Sequence, residues 1–587
     1  MREPSLFFSK NADIQNEVVD IYMELLKIKN ITAKDGNETF EVNGYLLHSK
    51  YNPNREAESL IKKEINKNYV NVILGFGRGY LADALVKEEI SNDKILFIEP
   101  ITAFERFDTK QYDIVFGDNL DTIQEAIEGK LRFFSRKINV ICAPNYDKIF
   151  HSLYVNVLKK VKDIQNLNIV YNNTIRDLSV TWQENSIRNM LPTYINGSLN
   201  VLEKYYNCPV IVASGGPSLT KQLNLLNEIR KSVILIAAGS TVNTLITHNI
   251  EPDYIITIDG SEINYDSHFK DLKVKSAELM YASTSHYKIQ QNFKNRQYAF
   301  LDTRENKYKE HVNKTLGIDL PNILGGGSVA NFALSIARYL TTGPIALIGQ
   351  DLAYTEGKTH AEGNKNLKAA DTTFLNFQGA FEIEGYYGDK VMTDYSLFSM
   401  KESFEEIMRQ IEDPNTIFNC TEGGLKIMNI QQKSFEHFCL QFVNRNSEVK
   451  LYSVNENKKD LAKYISTARE EIRIYKNIIL ELKLAQQALE KNTLTTEFAP
   501  SILKTLDDVD IKVAKLMKKV VMERINDPIT LDVMTNYEAQ GEETPEQKYQ
   551  RVYEQNKELY DRLSKATEQS IQYTLDAIRE AEELKGE

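Results

Sequence analysis

Two glycine-and-serine turns carry the chemistry available to this chain. The first is VIVASGGPSL, Val210 to Leu219; the second opens at ILGGGSVANF, from Ile323, and runs on through LIGQDLAYTEGKTHAEG to Gly363. In each, glycines and a serine stand between an extended apolar segment or turn and an amphipathic helix. Backbone N–H groups and a helix N-terminus converge there on an anion such as phosphate. In the first turn Gly215 and Gly216 let the backbone approach a ligand, Pro217 suits the opening of the helix, and Ser214 and Ser218 supply hydroxyl donors. Gly327 and Ser328 do the same in the second. Nucleotides and nucleotide-sugars are the ligands such turns serve; the plainer alternative is a tight strand-to-helix turn of any α/β domain.

Other candidates lie between and beyond these turns. Ser240 and Asn243, in AGSTVN, are placed to read a ribose or base, or else cap a helix. Asp259 ends the run YIITID, and a carboxylate at the carboxyl end of a strand in an open α/β sheet sits where ligands bind. It can grip a ribose hydroxyl or a metal, or cap the next turn. After the run IALI come Asp351, Tyr354 and His360, the last in a polar, glycine-containing loop. Glu422, in TEGG, supplies one more carboxylate.

The elements that must position these residues fall into three parts, 1–195, 196–430 and 431–587. The fold class expected is two Rossmann-like α/β domains followed by an α-helical C-terminal bundle. The first part alternates strands (near Val70, Ile95, Tyr112 and Ile138) with helices, and two helices from about Phe150 to Met190 are expected as a connector. The second part has apolar runs at Val210–Ala213, Val233–Ala237, Tyr254–Ile258, Leu279–Ala282 and Ile345–Ile348, as buried parallel strands require. Helices are expected at Leu219–Arg230, Thr241–His248, Ser328–Leu340 and Leu397–Glu412, with an irregular polar stretch from Asp351 to about Tyr387. In the third part Leu461, Ile465, Ala468 and Ile472 begin a helical seam, Ile502 to Val520 another, and TPEQ from Thr544 is a capping box.

A competing site is Gly75-Phe76-Gly77-Arg78-Gly79, with Glu99 ending the next strand. It resembles the nucleoside pocket of Rossmann-type methyltransferases, but no downstream catalytic motif of that class follows, and a structural turn is the preferred reading. No zinc pattern and no G-x-x-x-x-G-K-[ST] phosphate loop is present.

Bulk properties narrow the classes. At 587 residues, with 42% apolar and 26% charged residues, the chain is an ordinary folded protein of several domains. A net charge of −11 argues against a nucleic-acid surface, and the basic stretches Lys159–Lys162 and Lys512–Lys519 read as solvated helix faces. The four cysteines, Cys142, Cys208, Cys420 and Cys439, show no C-x-x-C spacing and read as reduced core residues. The amino-terminal MREPSLFFSKNADIQ lacks a signal-peptide run, and no stretch reaches the ~18 apolar residues of a spanning helix. A cytoplasmic protein without a membrane partner is expected.

As a set, SGGPSL (214–219), IEPDYIITID (250–259), the GGGSVAN to THAEG block and NCTEGG (419–424) resemble the motility-associated factor (Maf) family, the bacterial flagellin glycosyltransferases. The likeness is strong over roughly residues 200 to 430, and the flanking regions match the three-part layout. The resemblance implies transfer of a nonulosonic acid, of the pseudaminic, legionaminic or sialic type, from its CMP-activated donor to Ser or Thr hydroxyls of flagellin. The central part is similar to bacterial CMP-sialic acid sialyltransferases, which need no metal, so no cofactor and no Mg²⁺ are expected. Their G-x-G-P-S-L turn is matched by Gly215 to Leu219. Their G-I-D-F-Y and G-x-x-Y-A segments are met by Gly349-Gln350-Asp351 with Tyr354 near, and by Gly357 to Ala361.

The departures bear on roles. His360 stands where those enzymes have a tyrosine that contacts the leaving phosphate, and their later catalytic histidine has no counterpart before His437. His360 is thus a candidate for the base, for the phosphate contact, or for neither, and Tyr354 is one residue displaced from the matching tyrosine. The candidate bases are His360, Asp351 and Glu422, in that order; Ser214 to Ser218, Ser240, Asn243, Asp259, Gly327, Ser328 and Tyr354 are the donor-site candidates. Two other readings stand beside this one. The central part also resembles archaeal hydroxymethylpterin pyrophosphokinases, for which Asp259 and Asp351 would hold Mg²⁺, and the chain can be a flagellin-binding chaperone with a decayed site. Neither the particular sugar nor the oligomeric state is written in the sequence.

Overall fold

The computed structural model describes residues 26–107, 111–131, 137–303, 305–411, 413–453, 459–494, 496–537, 539 and 543–586. The amino-terminal stretch read for a signal peptide, and Glu412, the expected end of a helix, lie outside them. The chain divides into two compact units, 1–173 and 174–587.

The first unit opens with a small antiparallel sheet of β1 (Ile28–Thr32), β2 (Glu38–Val42) and β3 (Tyr45–Leu46). A parallel sheet follows, built from β4 (Val70–Leu74), β5 (Ile95–Glu99), β6 (Asp113–Phe116) and β7 (Ile138–Cys142) in the order β6-β5-β4-β7. Every residue of β4 and β5 is buried, as apolar runs covered on both faces must be.

The glycine turn after β4 is shut by the protein itself. A Cβ on Gly75 would lie 2.5 Å from the Tyr146 ring, and one on Gly77 would lie 2.7 Å from Nε2 of His48. The Glu99 carboxylate accepts from the backbone N–H groups of Phe76 (2.8 Å), Gly77 (2.9 Å) and Ile101 (2.9 Å) and from the Tyr146 hydroxyl (2.6 Å). Burial pushes this carboxyl above its ordinary pKa, while the four hydrogen bonds pull the other way. Glu99 is therefore committed to the turn's own donors, in keeping with a structural turn.

The second unit is organised by nine strands: β8 (Val210–Ala213), β9 (Ile234–Ala238), β10 (Tyr254–Thr257), β11 (Glu278–Ala282), β12 (Gln297–Asp302), β13 (Asn322–Ile323), β14 (Ile345–Ile348), β17 (Ile417–Asn419) and β18 (Gln431–Gln432). They pair in the order β13-β12-β11-β10-β9-β8-β14-β17-β18, and every pairing is parallel. The five expected strands are present within a residue; β12, β13, β17 and β18 come in addition. A hairpin of β15 (Phe381–Glu384) and β16 (Lys390–Thr393) runs through and past the stretch expected to be irregular.

One helix, His151–Arg188, stands where two were expected, because no glycine or proline interrupts that run. The helices Leu219–Ile229, Thr241–Thr247, Val329–Leu340 and Tyr395–Gln410 match expectation. Helices Tyr287–Asn292 and Asn306–Leu316 were not foreseen.

The helical region contains Leu461–Glu490, Pro500–Met517, Glu523–Asn536 and Pro545–Gly586. Its seams meet through Tyr475, Ile478, Leu482, Leu506, Val509, Val513, Tyr560 and Leu563. The capping box is formed: Thr544 N–H donates to Gln547 Oε1 at 3.0 Å, and Gln547 N–H donates back to Thr544 Oγ1 at 3.3 Å. Tyr464, Ile465, Ala468, Ile472, Ile578 and Ala581 join the core on one face of the nine-stranded sheet, which is why sheet and helices form one unit. The four cysteines are unpaired. Among the described residues no helix is long and apolar enough to cross a membrane.

Replacing Glu99 by alanine strands three buried N–H groups and a phenol, and is expected to cost about 3 kcal/mol. Hydrogen exchange in the full chain should show faster exchange of the amides of β4, β5 and β7. Exchange equal to that of the parent would refute the structural task given to Glu99.

Candidate functional site

From β8 the chain proceeds outward through β9 to β13, then returns across the sheet to β14 and proceeds the other way. The reversal between the adjacent strands β8 and β14 is a topological switch point, and open α/β sheets bind ligands outside the carboxyl ends of the strands there. Those ends carry Ser214–Ser218 and Gly349–Asp351, the residues singled out first from the sequence.

Asp351 is 1% exposed. Its carboxylate accepts from Ser218 Oγ at 2.7 Å and from the Ser218 N–H at 3.1 Å, at the N-terminus of helix Leu219–Ile229. The anion at this helix start is thus supplied by the protein. A Cβ on Gly216 would fall 2.2 Å from Asp351 Oδ2, and one on Gly424 would fall 2.0 Å from the Asp351 carbonyl oxygen, so these glycines make room for Asp351. Ser214 Oγ donates to Gln350 Oε1 at 2.6 Å, and the Gln350 N–H donates to Thr421 Oγ1 at 3.0 Å. Burial raises the Asp351 carboxyl above its ordinary value, against the hydrogen bonds from Ser218. Glu422 lies nearby with φ 56°, and its carboxylate accepts from the Phe435 N–H at 3.0 Å, at the start of helix Phe435–Phe442.

The loop after β14 folds back over the β8 turn. Ala361 N–H donates to the Gly215 carbonyl at 2.9 Å, Glu362 N–H to Thr220 Oγ1 at 3.1 Å, and Lys221 pairs with Glu356 at 2.8 Å. His360 is brought beside the switch point by these contacts. Burial, helped by Lys368, holds its imidazole below the ordinary pKa, opposed by a hydrogen bond with the Asn366 backbone. Its Nδ1 is buried and has no hydrogen-bond partner in the protein. A neutral imidazole suits a general base, while this nitrogen is enclosed by the protein.

His268, which the sequence did not single out, belongs to the same cluster. It is buried on a single π turn, Tyr265–Phe269. Its Nδ1 lies 3.3 Å from the Asn243 amide nitrogen and its Nε2 lies 3.3 Å from that of Asn366. Burial and Lys365 hold its pKa down; His360 adds to this and Asp259 opposes it. Asn243 is therefore turned toward His268. Asn364 accepts the Asn366 N–H at 2.9 Å and donates to the Ser240 carbonyl at 3.4 Å, linking the loop to the turn after β9.

The remaining candidates lie apart from this cluster or are engaged locally. Asp259 is exposed at the end of β10 and accepts the Ser261 N–H at 2.8 Å. Ser328 caps helix Val329–Leu340, accepting the Asn331 N–H at 3.3 Å and donating to Asn331 Oδ1 at 2.7 Å. In the same turn Gly325 yields space to Phe332 and Gly326 to Ser403, while Gly327 is exposed with nothing nearer its Cβ position than 3.7 Å. The Tyr354 hydroxyl donates to the Asp394 carboxylate, whose other oxygen accepts the Leu397 N–H at 2.9 Å. Burial and Asp394 hold that phenol protonated, so toward a ligand its oxygen is an acceptor. Among the described residues no group of three or more His, Cys, Asp and Glu side chains is arranged to hold a metal ion.

Three comparisons bear on this geometry. A family model described as 6-hydroxymethylpterin diphosphokinase MptE-like matches residues 184–357, from before β8 to just short of His360. A search of curated proteins found no match. Among solved structures, the MAf glycosyltransferase from Magnetospirillum magneticum AMB-1 superposes with a TM-score of 0.54 at 14% identity, over 97% of this chain and 96% of that one. The resemblance expected from the motifs is thus met by a shared fold along nearly the whole chain, helical region included.

The surroundings of Asp351 make a prediction about its substitution. Asp351→Ala leaves the Ser218 N–H buried without an acceptor and should lower stability by about 3 kcal/mol, read as a lower urea midpoint by circular dichroism. Turnover lost with the midpoint unmoved would instead identify Asp351 as an acid or base.

Proposed function

We propose that this protein is a glycosyltransferase that moves a nonulosonic acid from its CMP-activated donor to Ser or Thr hydroxyls of flagellin in the cytoplasm. The observation that carries the reading is the fold shared with a MAf glycosyltransferase over 97% of the chain. A small-molecule kinase has no evident use for the helices from Leu461 to Gly586, whereas a protein acceptor requires a docking surface. The CMP donor and the flagellin acceptor rest on the motif resemblance.

The site's chemistry suits this transfer. As the bond from the sugar's anomeric carbon to the phosphate oxygen breaks, positive charge spreads over the sugar ring and negative charge gathers on the CMP phosphate. Fixed N–H and O–H donors near the switch point lower the energy of that charge separation. The acceptor hydroxyl attacks the anomeric carbon and gives up its proton to a base. His360 is the favoured base because its imidazole is neutral near pH 7 and lies beside the switch point. Asp351 and Glu422 stand behind it, since both carboxylates are occupied by backbone donors. The reading needs no divalent metal.

The matched family description favours a second reading, a diphosphokinase, which requires Mg²⁺ between carboxylates. Asp351 and Asp259 follow β14 and β10, with β8 and β9 between them. Three strand spacings separate them by about 14 Å, too far for the pair to grip one ion directly.

Calorimetric titration with CMP and with ATP, each with and without Mg²⁺, separates the two. Metal-independent CMP binding is expected; Mg²⁺-dependent ATP binding with none for CMP would shift the assignment to the kinase. In the transfer assay His360→Ala should lose ~10²- to 10⁴-fold in turnover with CMP affinity retained. Because the His360 pKa is lowered, parental kcat/KM should be full at pH 7 and fall only on the acid side of about 6.5. Unchanged turnover in His360→Ala would remove His360 from the mechanism.

A further inference from the structure

Gly215 has an ordinary backbone φ, so its conformation alone does not call for glycine. What surrounds the position of its missing Cβ is informative. The three nearest heavy atoms beyond its chain neighbours are all polar: Asn364 Nδ2 at 3.2 Å, Thr241 Oγ1 at 3.3 Å and Ser240 Oγ at 3.7 Å. Thr241 is 1% exposed, and its hydroxyl has no hydrogen-bond partner in the protein. A buried hydroxyl left without a partner is destabilising, a cost a protein keeps where a ligand removes it.

The direction of the Asn364 amide is set by its neighbours. Its Oδ1 accepts the Asn366 N–H at 2.9 Å, which turns the NH₂ group toward Gly215; one N–H goes to the Ser240 carbonyl and the other is free to donate. The missing Cβ position lies within a bond length of Gly215 Cα, so a ligand atom resting against Gly215 sits just beyond it, where the three groups can donate to it. An atom that accepts three hydrogen bonds is an oxygen of a phosphate or a carboxylate.

The geometry points to an oxyanion seat beside Gly215, formed by Thr241, Asn364 and Ser240, which holds one anionic oxygen of the sugar-nucleotide donor. It deepens the glycosyltransferase reading and rests on it for the identity of the donor. It also answers a need the site creates, because the helix start at Ser218, where the glycine motif suggested a phosphate, already holds Asp351. Thr241 and Asn364 are thereby donor-binding residues, and Gly215 is glycine because a methyl group would crowd the oxygen away from these groups.

Two variants test the seat in the full chain. Thr241→Val keeps the shape and removes a hydroxyl that bonds to nothing in the protein, so the melting temperature should hold or rise. Affinity for the donor should nevertheless fall about ten-fold. Gly215→Ala should weaken it at least as much. The probes are CMP, cytidine, a free nonulosonic acid and ATP, titrated calorimetrically. Loss for CMP with cytidine unaffected assigns the seat to the phosphate; loss for the free sugar acid with CMP unaffected assigns it to the carboxylate. If the parent binds ATP and not CMP, the glycosyltransferase reading fails, yet weaker ATP binding in Thr241→Val would still support the seat. Affinities unchanged in both variants for every anionic probe, a lowered melting temperature in Thr241→Val, or a parent that binds no anionic probe would overturn it.

Discussion

The carboxylate of Asp351 is the point on which the second unit's site is assembled. It joins the end of β14 to Ser218, 133 residues earlier in the chain, and it lies near Gly423 of a third segment, whose neighbour Gly424 packs on the Asp351 backbone. Two charge-assisted contacts to one serine replace the water this anion would otherwise keep, and the helix that follows presents its positive end to it. The strand order makes such a tie necessary. At a switch point the connecting segments diverge to opposite sides, so nothing in the chain's course alone keeps their ends together.

The first unit uses the same device. Glu99 closes the turn after β4 as Asp351 closes the turn after β8, each with a carboxylate from the end of a neighbouring strand. The difference lies in what remains around the turn. In the first unit Tyr146, Ala143 and His48 fill the space beside the glycines. In the second, Gly216 is packed against Asp351 in like manner, while the three atoms nearest the Cβ position of Gly215 are polar. Two adjacent glycines thus serve opposite purposes, one to admit a side chain of the protein and one to leave polar groups facing a ligand.

Much of this was legible in the sequence because buried parallel strands are written as apolar runs. Val210–Ala213, Ile345–Ile348 and the glycines after them announced both sides of the switch point. β12 was missed because Gln297 and Asp302 bracket a short apolar stretch amid charged residues, and β13 and β18 because two-residue strands exist only through their partners. The candidate list includes the loops that meet at the switch point but not the direction of each side chain. Asp351 and Tyr354 face partners within the protein, and Asp259 faces its own turn. His268 and Asn364 carry no local pattern, and Thr241 goes unmarked within AGSTVN; folding brings His268 to His360 across 92 residues, and Thr241 and Asn364 to Gly215 across 26 and 149. The helical seams, by contrast, were read almost residue by residue, since their periodicity is local.

The nine-stranded sheet ends on each margin in a strand of only two residues, Asn322–Ile323 at one side and Gln431–Gln432 at the other. A long parallel sheet with full-length margins would offer rows of unsatisfied amides to any strand that met it. Here the margin is too short to template a stranger, and at one side it is made of two exposed glutamines. So wide a sheet can therefore exist at high local concentration, among many copies and many unfolded chains, without recruiting them edge to edge.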